Sequence, residues 1–256
     1  MADKNEVLIE GRTGASVVEV VAKMSKSLKN VVNPDQIIHD YGADTLRLYE
    51  MYMGPLEKSK PWNTDDIVGV HRFLQRVWRL VVPPAESEDA PPTLNPRIGD
   101  EREEAIERLL HKTIKKVTED VPRFAYNTAI AQMIVWVNEA QKAKAIARDQ
   151  IERFLLLLSP MAPHICEELW SRLGHGESLT REAWPTFDEA LTKDESVEIA
   201  VQIKGKVRDR ITVPADASDE DVAAAALASP TIAKAIGGKP VRRTIVVKGR
   251  LVNLIV

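Results

Sequence analysis

The chain has 256 residues, 44% hydrophobic and 29% charged, with a formal net charge of -3 at pH 7. That length can bury a good core and leaves room for two compact units, while so even a charge balance means that any surface for nucleic acid must be local. A single cysteine, Cys166, excludes an internal disulfide and any site built from paired cysteines, so the cytoplasm is the expected compartment.

Residues 1–10 mix both charge signs without an apolar export core, and the longest apolar run, 154–158, is far too short to span a bilayer; no membrane association is expected. Residues 1–22 carry two β-rich runs, 6–9 and 17–21, around Gly11-Arg12-Thr13-Gly14. They read as a hairpin, and since a hairpin does not stand alone, as the edge of a larger domain.

Residues 23–82 open on Lys23-Met24-Ser25-Lys26-Ser27 and turn helical from Pro34, with Ile37, Ile38 and Tyr41 before the turn residue Gly42 and Leu46, Leu48 and Tyr49 after it. Thr64-Asp65-Asp66 is the expected cap of a stronger helix, in which Ile67, Val70, Phe73, Leu74, Val77 and Leu80 make one apolar stripe ending at Val82. Residues 83–97 read as an extended surface linker, because five prolines and Glu86, Ser87, Glu88 and Asp89 crowd the stretch.

Residues 98–190 hold helical patterns at 101–118, 128–142, 150–158 and 165–173, the last two separated by Ser159-Pro160-Met161-Ala162-Pro163 and closed at Gly174. Amphipathic helices of that length need partners, which predicts a bundle of about four or five. Residues 194–256 change character. Strands 197–203 and 207–213 flank Lys204-Gly205-Lys206, one helix starts at Ser218 and stops at Gly237-Gly238, and runs 241–247 and 251–256 form a second hairpin, giving β-β-α-β-β. The expected fold class is mainly α with a small α+β C-terminal domain.

The sharpest chemical signal is Lys23-Met24-Ser25-Lys26-Ser27. Average residue usage gives this pentapeptide by chance in roughly one chain in ten thousand of this length. A plain solvated loop is the competing reading. It is weakened by Asn30-Val31-Val32-Asn33-Pro34 and Tyr41-Gly42-Ala43-Asp44-Thr45-Leu46-Arg47, which together with the pentapeptide resemble class I aminoacyl-tRNA synthetases of the leucine, isoleucine and valine group.

Within that group the chain resembles the leucyl-tRNA synthetase family from Val18 onward. The resemblance is carried by RFLQRVWRLV at 72–81, His111-Lys112-Thr113-Ile114 with Val117-Thr118-Glu119-Asp120, Asn127-Thr128-Ala129-Ile130-Ala131, QIKGKVR at 202–208, ITVP at 211–214 and GRLVNLI at 249–255. Lys204 stands where that family usually has Asn, a departure confined to one turn. A cysteine-rich zinc module, typical of the isoleucine enzyme, and a long charged coiled coil, typical of the valine enzyme, are missing.

The resemblance implies ATP-dependent activation of leucine and its transfer to leucine tRNA, with an anticodon-binding-type helical bundle at 98–190 and a tRNA-binding domain at 194–256. ATP with Mg2+ is then a substrate, held by the loop Lys23, Met24, Ser25, Lys26 and Ser27. Lys26 would carry most of the stabilisation of pyrophosphate charge and Lys23 would assist, as point charges on flexible stems. A HIGH motif, an adenylate-binding fold and an editing insertion are missing, so the chain alone is expected to be inactive. Its implied partners are tRNA and the N-terminal catalytic and editing domains, on the same chain or a separate subunit. The rival reading is a non-catalytic tRNA-binding or assembly subunit of a split synthetase.

No bound metal is expected: His164, Cys166 and Glu167 lack the further Cys or His that a four-ligand shell needs. RNA contact would fall to local basic stripes. Arg72, Arg76 and Arg79 share one helix flank, Lys112, Lys115 and Lys116 another, and Lys206, Arg208 and Arg210 alternate along one strand face, joined by Lys204, Lys248 and Arg250 at hairpin turns. An ordinary solvated face is the alternative for each.

Overall fold

The computed structural model describes residues 11, 13–16, 22–84, 93–193, 196–247 and 249–256, so the hairpin expected within 1–22 and the side chain of Lys248 lie outside the described residues. The protein forms two compact units, Met1–Phe187 and Asp188–Val256. Among the described residues it is helix-rich with small sheets, and no helix is long and apolar enough to cross a membrane.

In the first unit, α1 (Pro34–Tyr41) starts under an Asn33 cap whose side chain accepts the Asp35 N–H, and α2 (Ala43–Tyr52) follows after one residue. That residue is Gly42, at φ +89, a left-handed conformation that a side chain would strain. The cap of helix α3 (Thr64–Val81) lies one residue earlier than expected: Asn63, not Thr64, accepts the Asp65 N–H at 3.0 Å. Asn63 is fixed by the hydroxyl of buried Tyr49, which donates to its carbonyl at 2.6 Å and accepts its N–H at 3.2 Å. All six stripe residues of α3 are buried.

Four further helices complete the bundle, α4 (Glu104–Asp120), α5 (Tyr126–Ala140), α6 (Arg148–Leu158) and α7 (Pro163–Arg172). One continuous core runs from Ile37 to Leu179, with Trp136 stacked on Phe154 at 4.5 Å in its interior. Of the linker expected over 83–97, residues 85–92 lie outside the described residues, and its far end is tied to the bundle rather than free. Asn95 is buried and donates its N–H to the Val81 carbonyl, and the Arg97 guanidinium donates to the carbonyls of Gln141 and Ala143. These bonds set up a two-residue parallel pair, β1 (Ile98–Gly99) with β2 (Ile146–Ala147), which periodicity did not disclose.

The second unit has one sheet, ordered β4-β3-β6-β5, built from β3 (Ser196–Ile203), β4 (Lys206–Pro214), β5 (Arg243–Val247) and β6 (Leu251–Ile255). The single helix expected between the hairpins is two, α8 (Asp219–Ala228) and α9 (Pro230–Ile236). Pro230 has no N–H to continue α8, and Ser229, extended at ψ 125, caps α9 instead. The order is therefore β-β-α-α-β-β, with Val222, Ala226, Ile232 and Ile236 packed against Ile199, Val201, Val252 and Leu254.

Candidate functional site

The 23–27 loop is closed by one side chain. Asn30 accepts the Ser25 N–H at 2.7 Å and donates to the Lys23 carbonyl at 3.3 Å, while the Ser25 and Ser27 hydroxyls lie 2.7 Å apart. Lys29, at φ +53, donates its N–H to the Lys26 carbonyl. Lys23, Met24, Lys26 and Ser27 are exposed, and neither lysine ammonium has an ion-pair partner among the described residues. Two unpaired point cations three residues apart on a braced loop can meet a polyphosphate.

A short path leads from this loop into the bundle. The carboxylate of Asp44, buried on α2, accepts the N–H of Ile165 at 2.8 Å and the N–H and ring Nδ1 of His164 at 3.4 and 2.8 Å. One turn further, Arg47 donates to the carbonyls of Pro160 at 2.8 Å and Met161 at 3.2 Å. His164 is thus engaged with Asp44, and Glu167 accepts the Ser178 hydroxyl at 2.5 Å. Cys166 between them is fully buried; that burial, with the Asp44 and Glu167 charges, pushes its thiol well above the ordinary range. Among the described residues no group of three or more His, Cys, Asp or Glu is arranged to hold a metal.

The basic stripes divide. Arg72 and Arg79 are exposed on α3, but Arg76 is half-buried. On α4 the lysines are half-buried and engaged: Lys116 pairs with Asp120 at 2.8 Å and Lys115 lies over the Phe187 ring, with Lys112 half-buried beside them. In the second unit, Lys206, Arg208 and Arg210 do not share one face. The β3–β4 ladder pairs Val201 with Asp209 but Gln202 with Val207, so Arg208 is the extra residue of a bulge, and the bulge shifts the two-residue alternation by one. Arg210 also pairs with Glu198 at 2.6 Å.

The parallel pairing of β3 with β6, Ala200 with Leu251 and Ile203 with Leu254, puts the 204–205 turn and residues 249–250 at opposite ends of β6. Lys204 and Lys206 instead share an end of the sheet with Arg242 and Arg243, since Arg243 lies opposite Ile255 and Arg242 donates its N–H to the Ile255 carbonyl. All four are exposed. Sequence reasoning missed Arg242 and Arg243 because only the strand order reveals their neighbours.

Residues 7–60 match the family described as tRNA synthetases class I (I, L, M and V), and residues 103–224 match the anticodon-binding domain of tRNA ligase. The chain is a class I tRNA synthetase homologue that carries an anticodon-binding domain. More particularly, it is homologous to part of leucine–tRNA ligase. It is 49% identical over 234 residues to that enzyme from Rhodopirellula baltica, covering 91% of this chain and 24% of the relative. Its fold is similar to that of a LeuRS from Agrobacterium radiobacter solved in ternary complex with tRNA and LeuAMS, at a TM-score of 0.66 and 30% identity, covering 91% of this chain and 31% of that one. The chain thus spans about a quarter to a third of the length of these relatives.

Proposed function

We propose that this chain works as part of a leucine–tRNA ligase, supplying the loop that stabilises pyrophosphate and the surfaces that seat leucine tRNA. The observation that carries the reading is the Asn30-braced loop, whose Lys23 and Lys26 ammonium groups are both exposed, two helices away from an anticodon-binding bundle. As the leucine carboxylate attacks the α-phosphorus of ATP, negative charge builds on the departing pyrophosphate. Lys26, assisted by Lys23, meets that charge, and Met24, Ser25 and Ser27 line the same loop. Mg2+ arrives with ATP as part of the substrate.

For tRNA the proposed contacts are Arg72, Arg76 and Arg79 on α3, Lys112 and Lys116 on α4, and Lys204, Lys206, Arg208, Arg210, Lys248 and Arg250 in the second unit. In the second unit, lysines and arginines with no aromatic residue beside them in the sequence suit phosphates and helical shape rather than splayed bases. The adenylate pocket and editing function belong to other domains of the enzyme, which acts in the cytoplasm. The purified chain is expected to bind leucine tRNA and to give no leucine-dependent exchange of pyrophosphate into ATP. Robust exchange by the chain alone contradicts this division of labour.

A further inference from the structure

Asp44 and Arg47 lie in the segment matched as class I synthetase, whereas the groups they hold, on Pro160, Met161, His164 and Ile165, lie in the segment matched as anticodon-binding domain. We infer that these two residues form a positioning clasp, which fixes the register between the Lys23–Ser27 loop and the bundle so that tRNA seated on the bundle meets the loop at a set distance. The inference rests on the function proposed above.

The clasp works by polarity. Asp44 places its carboxylate on the first N–H groups of α7, where a helix presents partial positive charge, and Arg47 places its guanidinium on the Pro160 and Met161 carbonyls of the turn between α6 and α7. Both ends of one interhelical corner are therefore held from one turn of α2, by charge-assisted bonds about twice as strong as neutral ones. Asp44 is only 8% exposed, so water competes little for it. From the clasp to the loop the path is short and bonded at each step: Gly42 joins α2 to α1, Asn33 caps α1, and Asn30 braces the loop.

A helix cap of purely structural value would lower stability and every activity together. A positioning clasp separates two steps, because activation needs the loop but no tRNA, while charging needs both at a fixed separation. A misplacement of about 1 Å between reacting groups can cost about a hundredfold in rate.

The test uses the full-length synthetase that contains this chain, comparing Arg47→Ala and Arg47→Lys. Lysine keeps the charge but lacks the fork that reaches both carbonyls. The expected result for Arg47→Ala is pyrophosphate exchange within about threefold of the parent, an unchanged KM for tRNA, and a kcat for charging reduced at least about tenfold, with Arg47→Lys between. Exchange and charging falling in proportion, or charging left intact, overturns the inference. Lys26→Ala in the same enzyme keeps the two claims apart. If Lys26→Ala leaves exchange intact, the proposed function fails; if it cripples exchange while both Arg47 variants charge normally, only the clasp fails.

Discussion

Arg153 places one guanidinium nitrogen 2.8 and 2.9 Å from the two carboxylate oxygens of Glu107, a residue only 7% exposed. Gln150 donates to the same carboxylate at 2.8 Å, and His111 and Arg102 lie at 3.0 and 3.3 Å. Burial alone would raise the pKa of Glu107, but the bonds from Gln150 and Arg153 and the charges of Arg153 and Arg102 outweigh it and hold the group below its ordinary value.

Stability should therefore depend on pH through this network. A folded-state pKa below the unfolded one contributes stability that is complete above the ordinary glutamate value and is lost as pH falls through the lowered one. Thermal unfolding should show a falling midpoint on acidification. Glu107→Gln should shrink that acid dependence and cost about 3 kcal/mol at neutral pH, toward the low end for a broken buried pair because Arg102 reaches solvent. A midpoint and acid slope equal to those of the parent would contradict the role given to Glu107.

The brace on the loop should also be measurable. Asn30→Ala removes two hydrogen bonds of about 0.5 to 1.5 kcal/mol each, so leucine-dependent exchange by the full-length enzyme should fall about ten- to a hundredfold if they hold the loop for catalysis. Because these bonds brace an exposed loop that can open without the core, the midpoint of global unfolding should stay nearly unchanged. Unchanged exchange would show that the loop holds its shape without it.

In the second unit, Lys206→Ala combined with Arg208→Ala should weaken leucine tRNA binding and reduce the slope of log affinity against log salt by one to two units, at about 0.7 to 0.9 per phosphate contact. Arg242→Ala with Arg243→Ala should act in the same direction, since these residues share the sheet end with Lys204 and Lys206. Salt titrations of both double variants are the check. A slope and affinity matching the parent's in both would make this end of the sheet an ordinary solvated face.

What the sequence disclosed followed from local periodicity. The stripe from Ile67 to Leu80 has to face a core whatever surrounds it, and the Pro160–Pro163 corner has to separate α6 from α7. Where two cap residues adjoin, as at Asn63 and Thr64, the choice was made by Tyr49, a partner on the preceding helix. Ser229-Pro230 was a local signal obscured by the alanine-rich run around it. The bulge at Arg208, the parallel pairing of β3 with β6 and the reach of Asp44 to Ile165 are tertiary choices that no spacing encodes.

The most direct measurement is made on Lys26→Ala in the full-length enzyme, with leucine-dependent pyrophosphate exchange and tRNA affinity read side by side. Loss of one preorganised donor to a developing anion typically costs about 2.7 to 4 kcal/mol, so exchange should fall about a hundred- to a thousandfold while the Kd for leucine tRNA stays the same. Equal losses in exchange and tRNA binding would make Lys26 a tRNA contact, and contradict its place in the chemistry.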